Sequence, residues 1–100
     1  MSAREKEILN SVVEILKKYL HPKKIILFGS RAKGNNKPHS DFDFAVDKKK
    51  PDILTYWKII DEIDTVAGLY GVDVVYLPTV DKGFRSIVLN SGKIIYERKK

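Results

Sequence analysis

Two aspartates separated by a single residue, Asp41 and Asp43, begin a predicted strand and could hold a divalent cation. Residues two apart on a strand point to the same face, so the two carboxylates would lie side by side and repel each other without a cation. Asp41 alone could simply cap the turn before the strand. Asp43 lies between Phe42 and Phe44, inside a strand, where aspartate is depleted. The pair therefore predicts a site for Mg²⁺, which takes one or two carboxylates together with phosphate and water oxygens.

A third carboxylate, Asp73, stands between Val72 and Val74 in another apolar strand. If that strand lies beside the strand of Asp43, three acids converge at one end of a sheet. Three acids are enough for a two-metal site with ions about 3.5 to 4 Å apart. Such a site carries out phosphoryl or nucleotidyl transfer.

Gly29 and Ser30 follow the first strand and could bind the phosphates of a substrate. A glycine lets the backbone approach phosphate closely, and the turn after a strand exposes amide donors to which the serine adds a hydroxyl. Arg31 and Lys33 could neutralise a triphosphate, or they could be solvated loop charges. Gly-Ser pairs occur in many turns, and neither the Walker pattern nor the dinucleotide fingerprint is present. The aspartates that follow strengthen the interpretation of this pair as a phosphate-binding turn.

Hydrophobic periodicity and turn residues predict the elements that position these side chains. They are a helix over 4–20, strands over 24–28, 41–46 and 72–77, a helix from an Asp52 cap to about 67, a short helix around 84–91 and a strand over 94–96, with 97–100 as a solvated tail. A helical turn could follow Ser30, and Gly68 or Gly71 ends the second long helix. The loop between the first two strands is too short for a helical crossover, so these strands are expected to be antiparallel. The order predicts an α/β fold with a mixed sheet.

The inward face of the second long helix is predicted from its apolar side chains. That face comprises Ile53, Tyr56, Trp57, Ile60, Ile63 and Ala67.

The spacing of Gly29-Ser30, ten residues, then Asp41-Phe42-Asp43, with a later third acid, resembles the nucleotidyltransferase superfamily of DNA polymerase beta. Residues 31–34 and Ser40 resemble its smallest branch, the minimal nucleotidyltransferases of prokaryotes. The resemblance runs from the first helix to Tyr96 and implies the nucleotidyltransferase fold, a mixed sheet packed with about three helices.

The resemblance also implies roles. It makes Asp41 and Asp43 ligands of Mg²⁺ and Asp73 the third carboxylate, which helps to hold metal or accepts a proton. Gly29 and Ser30 would hold the triphosphate of a nucleotide, expected to be ATP. Lys33 stands where family members often carry arginine, which keeps the charge but loses the bidentate fork.

Minimal nucleotidyltransferases are commonly paired with a small helical HEPN protein, in some cases as antitoxins that attach AMP to a tyrosine of a toxin. The resemblance therefore implies protein adenylylation of such a partner. Transfer to a small molecule or to RNA is an alternative. A non-catalytic binding module with the same fold is another, although three intact acids argue against it because their repulsion costs stability without metal.

Composition sets further limits. One hundred residues suffice for one domain spanning 1–100, and the absence of cysteine excludes disulfides and thiolate metal sites. Nineteen basic against 13 acidic residues, a net charge of +6, favour anionic partners, although the lysines lack interleaved aromatics and are a weak nucleic-acid signal.

His21 and His39 lack a second histidine at ligand spacing and are expected to be structural or solvent-facing. No apolar run is long enough to span a membrane and no signal peptide is apparent, so a cytoplasmic location is expected.

Overall fold

The computed structural model describes residues 1–99, in which a four-stranded mixed sheet carries helices on both faces. The predicted α/β class is confirmed, and the last residue of the predicted tail, Lys100, lies outside the described residues. Within the described chain, no helix is both long and apolar enough to cross a membrane. In chain order the elements are α1 Ala3–Leu20, β1 Lys24–Phe28, α2 Ser30–Lys33, β2 Phe42–Val46, α3 Ile53–Ala67, β3 Val72–Tyr76, a 3-10 turn Leu77–Thr79, α4 Lys82–Ser91 and β4 Lys93–Glu97.

The sheet has the strand order β3-β2-β1-β4. β1 is antiparallel to β2, as predicted from their short connection, and β4 pairs antiparallel with the other side of β1. β2 and β3 are parallel and are joined by α3, since a parallel pair needs a long crossover. The two strands that carry the aspartates are therefore neighbours in the sheet.

The main core lies between one face of the sheet and the two long helices, α1 and α3. A capping box between Ser2 and Glu5 begins α1, and His21 ends the helix in the left-handed conformation. Alternate residues of β1 and β2 point into this core, because side chains alternate between the faces of a strand. The largest fully buried side chains are Phe42, Phe44, Ile8, Leu16, Ile25 and Ile59.

The opposite face of the sheet is covered by α4 over a smaller core. Its buried members are Ile26, Ala45, Leu77 and Val88, with Phe28, Val75 and Phe84 packed around them. Asp81 accepts a hydrogen bond from the backbone N–H of Phe84 and so begins α4 as its cap. The sheet face occupied by α4 is also the face on which the candidate site is built.

The predicted inward face of α3 was wrong in its first two turns. Ile53 and Trp57 are 62% and 57% exposed, whereas Ile59, which was not predicted, is buried with Ile63 and Ala67. The physical reason is that the buried side of α3 is the side of Ile59, Ile63 and Ala67, which pack in the main core, whereas Trp57 lies farther around the helix and Ile53 lies in its exposed first turn. Helical periodicity alone does not show which neighbour covers which part of an apolar stripe.

Gly92, between α4 and β4, packs so closely that a side chain would disturb the smaller core. A Cβ atom there would collide with Ile26 and come within 2.6 Å of the carbonyl oxygen of Val88. We expect Gly92→Ala to lower the free energy of unfolding by about 1–3 kcal/mol because a packed core resists added volume. Urea unfolding measures the change.

Gly83→Ala, in the first turn of α4, is the matched control. A Cβ atom at Gly83 meets only a flexible carboxylate oxygen of Asp81 at 3.2 Å. The variant should differ from wild type by less than about 1 kcal/mol, and alanine favours the helix. Equal effects of the two alanines would contradict the packing argument.

Candidate functional site

Asp43 and Asp73 lie directly beside each other because β2 and β3 pair in parallel with these two residues in register. Adjacent strands are about 4.8 Å apart, so side chains on one face of such a pair are neighbours. Two residues farther along, Ala45 and Val75 contact the smaller core, which places both aspartates on the face covered by α4. The expected adjacency of the two strands is thus present.

Asp41 immediately precedes β2 and lies against Gly71. A Cβ atom at Gly71 would collide with a carboxylate oxygen of Asp41, while the N–H of Phe42 donates to the carbonyl oxygen of Gly71 at 2.9 Å. Sequence reasoning considered Gly71 only as a possible helix end, yet α3 ends at Gly68. Its distinguishing signal was its position two residues before Asp73, where a strand begins.

Gly29 brings the turn after β1 against the carboxylate of Asp43. Its φ of +75° is in the region that favours glycine, and a Cβ atom would lie 2.5 Å from Oδ2 of Asp43. Phe28, the preceding residue, pairs with Asp43 across β1 and β2. Ser30, half-buried, is the first residue of the short helix α2. The Gly-Ser turn and the aspartates are therefore one structural unit.

The three carboxylates affect one another electrostatically. Partial burial raises the pKa of the Asp43 carboxyl above its usual range, and the negative charges of Asp73 and Asp41 raise this pKa further. A bound cation would offset both effects. Asp43 is half-buried, whereas Asp41 and Asp73 are exposed to solvent.

The donors present suit a hard cation that shares its ligands with a substrate. Among residues 1–99, no three acidic or imidazole side chains are grouped so that they could hold a metal ion on their own. Mg²⁺ does not require such a cage, because it is typically bound through one or two carboxylates plus phosphate and water oxygens. Asp43 with one neighbouring aspartate meets that requirement, and substrate phosphates would supply the remaining ligands.

Arg31 has a fully buried side chain, so the interpretation of it as a solvated loop charge was wrong. Its Nε and one terminal nitrogen donate to the carbonyl oxygen of Ser40 at 3.0 and 2.8 Å, and the other donates to Glu5 at 2.6 Å. The guanidinium also lies 4.0 Å from the ring centre of Phe42. Arg31 therefore joins α1 to the residue just before Asp41, and it could contact a triphosphate only by leaving these partners.

Lys33 and His39 occupy the solvent-exposed side of the same region. Lys33 is the last residue of α2 and is exposed, so its ammonium group is free to approach an anion. His39 has a φ of +77° in the turn before Asp41, and its ring packs 5.6 Å from that of Tyr70. The expectation that His39 faces solvent agrees with its exposure.

The Glu5–Arg31 pair predicts a pH-dependent contribution to stability. Hydrogen bonds from the Ser2 backbone N–H and then from Arg31 lower the pKa of Glu5 from 4.5 to about 2. An acid with a lowered folded-state pKa stabilises the fold above its unfolded pKa and loses this contribution as the pH falls. We expect Glu5→Gln to be less stable than wild type at pH 7, with the difference closing between about pH 4.5 and pH 2.

Urea unfolding at a series of pH values measures this difference. The matched control is Glu7→Gln on the same helix, because Glu7 pairs with Arg4 at 2.6 Å where both side chains are exposed. Such exposed pairs contribute at most about 1 kcal/mol. A pH-independent difference for Glu5→Gln would contradict the assigned role of the carboxylate.

The raised pKa of Asp43 predicts a change in stability of the opposite sign to that for Glu5. Ionised Asp43 costs stability above its folded-state pKa, and the cost disappears where the carboxyl is protonated. In metal-free buffer at pH 7 we expect Asp43→Asn to stabilise the fold by less than about 1 kcal/mol, because solvent screens a half-buried charge. The gain should vanish as the pH falls below about 4.

Chelator-treated protein unfolded in urea provides the measurement, with Asp61→Asn on the exposed side of α3 as control. Destabilisation by Asp43→Asn at pH 7 would show that the carboxylate is a structural group.

Comparisons with known proteins identify the family and the fold. The family model for polymerase beta nucleotidyltransferases matches residues 10–100. The chain is 30% identical to protein adenylyltransferase MntA of Aphanizomenon flos-aquae (strain 2012/KM1/D3) over 102 residues, which cover 91% of this chain and 67% of that protein.

Two solved structures have the same fold. One is a crystal structure of a toxin-antitoxin with AMP-PNP, with a TM-score of 0.74 and 24% identity over 90% of this chain and 73% of that chain. The other contains a tri-AMPylated HEPN toxin of Shewanella oneidensis in complex with an MNT antitoxin, with a TM-score of 0.68 and 21% identity over 95% of this chain and 73% of that chain. At these identities, the two structures show the fold alone.

The match over residues 10–100, on a fold that places Asp43 beside Asp73, shows that the chain belongs to the polymerase beta family of nucleotidyltransferases.

Proposed function

We propose that this nucleotidyltransferase uses Mg²⁺ and ATP to transfer AMP to a tyrosine hydroxyl of a HEPN-type partner protein, in the manner of an antitoxin. The observation that carries the proposal is the in-register pair Asp43 and Asp73, with the Gly29 turn packed against Asp43. Phosphates delivered to this turn would lie next to carboxylates suited to a magnesium ion. Binding and metal sites would then share one end of the sheet.

Each residue of the site can be given a task. Asp41 and Asp43 would hold the ion, which when bound neutralises phosphate charge and lowers the pKa of an attacking hydroxyl. The backbone at Gly29 and the hydroxyl of Ser30 would orient the triphosphate, and exposed Lys33 would attract it. Asp73, exposed at the side of Asp43, would accept the proton of the acceptor hydroxyl.

Arg31 is given a positioning task instead of a phosphate contact. Its two hydrogen bonds to the carbonyl oxygen of Ser40 hold the backbone immediately before Asp41. The buried contact with Glu5 keeps the guanidinium in place. Rigid placement of this kind lowers the entropic cost of bringing a nucleotide and an acceptor together.

The relatives support the choice of nucleotide and acceptor. The similar Aphanizomenon flos-aquae protein is named a protein adenylyltransferase, one structure with the same fold contains AMP-PNP, and another contains an AMPylated HEPN toxin. The net charge of +6 favours association with an anionic nucleotide. ATP as donor is also consistent with action in the cytoplasm.

The test is transfer of radiolabel from ATP labelled at the α-phosphate to the HEPN-type product of a neighbouring gene, in the presence of Mg²⁺. We expect a labelled protein band with the wild-type chain. The labelling rate should fall at least about 100-fold with Asp43→Asn, because removing one group that stabilises charge in the transition state typically costs this much. Asp61→Asn, which removes an exposed carboxylate of α3, should retain activity. ATP labelled at the γ-phosphate should give no band.

The outcomes separate the alternatives. Label that is lost in Asp43→Asn and removed by a chelator supports adenylylation. Label in RNA or in a small molecule, and not in protein, would identify a different acceptor but would still support nucleotidyl transfer. ATP binding without any transfer would favour a non-catalytic nucleotide-binding module.

A further inference from the structure

β3 is an edge strand with unused hydrogen-bonding groups. Phe42 donates its N–H to the carbonyl oxygen of Gly71, so the backbone groups of Gly71 and, two residues on, Asp73 face β2. The N–H and C=O groups of Val72 and Val74 must then point away from the sheet. Among residues 1–99, β2 is the only strand that pairs with β3. This outer edge can therefore accept one added strand.

A pocket opens beside this edge, between β3 and α3. It has a volume of about 220 Å³ and is lined by Tyr56, Ile60, Ile63, Asp64, Val72 and Val74, among others. Its volume is several times the roughly 30 Å³ that a water molecule occupies, which suits one apolar side chain.

The two faces of β3 have different chemistry. The side chains of Val72 and Val74 lie on the α3 face, where they pack against the main core. Asp73, between them, projects to the opposite face, which it shares with Asp43. A strand added to this edge would alternate in the same way. A residue flanked by two pocket-facing side chains would thus project its own side chain beside Asp73.

We propose that the outer edge of β3 binds the acceptor protein as an extended segment in which a tyrosine lies between two apolar residues. This inference rests on the proposed function and specifies how the acceptor is recognised. Backbone hydrogen bonds to Val72 and Val74 would align the segment, and the pocket would take an apolar neighbour of the tyrosine. The tyrosine hydroxyl would then reach the face that carries Asp73 and Asp43.

Charge at the two ends of the pocket selects the flanking residues. Asp64 lines the pocket together with Val72, whereas Lys50 lies 4.4 Å from the ring centre of Tyr56, which lines it too. A basic residue is favoured beside Asp64, and an acidic or neutral residue is favoured beside Lys50. An extended segment with a basic flank on the Asp64 side therefore fits this arrangement.

In this arrangement AMP is transferred from ATP to the tyrosine oxygen. The tyrosine oxygen forms a bond to the α-phosphorus of ATP, and the bond from that phosphorus to the oxygen bridging to the β-phosphate breaks. Pyrophosphate leaves with the electron pair of the broken bond. The proton of the hydroxyl passes to the carboxylate of Asp73 and from there to water. The products are an AMP-tyrosine phosphodiester and pyrophosphate.

The first test compares synthetic peptides of equal composition as acceptors for label from α-labelled ATP. In Lys-Gln-Val-Tyr-Val-Gln, the tyrosine lies between two valines, whereas in Lys-Val-Val-Gln-Tyr-Gln it lies between two glutamines. When the tyrosine of the second peptide projects beside Asp73, both neighbours that face the pocket are polar. We expect the first peptide to be labelled at least about tenfold faster, a preference that a difference of about 1.4 kcal/mol would produce.

Two variants test the edge and the pocket separately. Val74→Pro removes an outward N–H without touching the ladder to β2, and Ile60→Trp fills the pocket. Each should raise the KM for the first peptide at least about tenfold while the KM for ATP stays unchanged. Lys58→Trp, an exposed change on the same helix, is the control and should alter neither value. Thermal unfolding identifies a misfolded variant, and Ile60→Trp decides the matter if Val74→Pro does not fold.

Equal labelling of the two peptides, or labelling of neither at millimolar concentration, would overturn the inference. Asp43-dependent labelling of the HEPN-type partner would leave the proposed function standing in that event. A wild-type dimer in sedimentation that Val74→Pro dissociates would also overturn it, since a second copy of the chain would then occupy the edge.

Discussion

The rest of the structure depends on the parallel pairing of β2 with β3, which holds the carboxylates of Asp43 and Asp73 side by side. The crowded carboxylates oppose stability, because burial and two neighbouring negative charges all raise the pKa of Asp43. The remaining fold must therefore supply more stabilisation than the site removes. Phe42 and Phe44, on either side of Asp43, do so by burying their rings completely in the main core. The same strand thus carries the unfavourable charge and the residues that compensate for it.

Two glycines lie where the backbone passes closest to the carboxylates. Gly29 lies against Asp43 and Gly71 lies against Asp41, and a Cβ atom at either position would collide with a carboxylate oxygen. Gly29 also has a positive φ, so glycine is the residue that fits both this backbone conformation and the close approach to Asp43 without strain. The backbone therefore passes close to the acids on two sides, while Asp41 and Asp73 are exposed to solvent and Asp43 is half-buried.

Much of the fold could be predicted because its strands are short, apolar and separated by clear turn residues. The pairing of Asp41 with Asp43 could be predicted from the two-residue period of a strand. The buried environment of Arg31 could not, because its partner Glu5 lies on a helix far away in sequence and only tertiary packing brings them together. A charged residue after Gly-Ser carries no local sign of whether it faces solvent or the interior. The roles assigned to individual site residues stay predictions.

The misassigned face of α3 has a similar cause. Trp57 and Ile53 extend the apolar stripe of the helix, yet both are exposed, whereas Ile59, Ile63 and Ala67 are buried. Periodicity reports which residues share a side of a helix and does not report where the covering element ends. The contact of Gly71 with Asp41 was missed for a related reason, since Asp41 immediately precedes β2 and the whole of α3 separates the two residues in sequence.

The carboxylate of Glu5 connects the first turn of α1, through Arg31, to the loop before β2. It accepts the N–H of Ser2 in the capping box and also accepts a hydrogen bond from Arg31, which in turn holds Ser40. A fused tag or a proteolytic cut that disturbs Ser2 would therefore disturb the backbone next to Asp41, although neither change touches the sheet. The choice of which terminus to label or immobilise is, for this protein, a choice about the geometry of its acidic site.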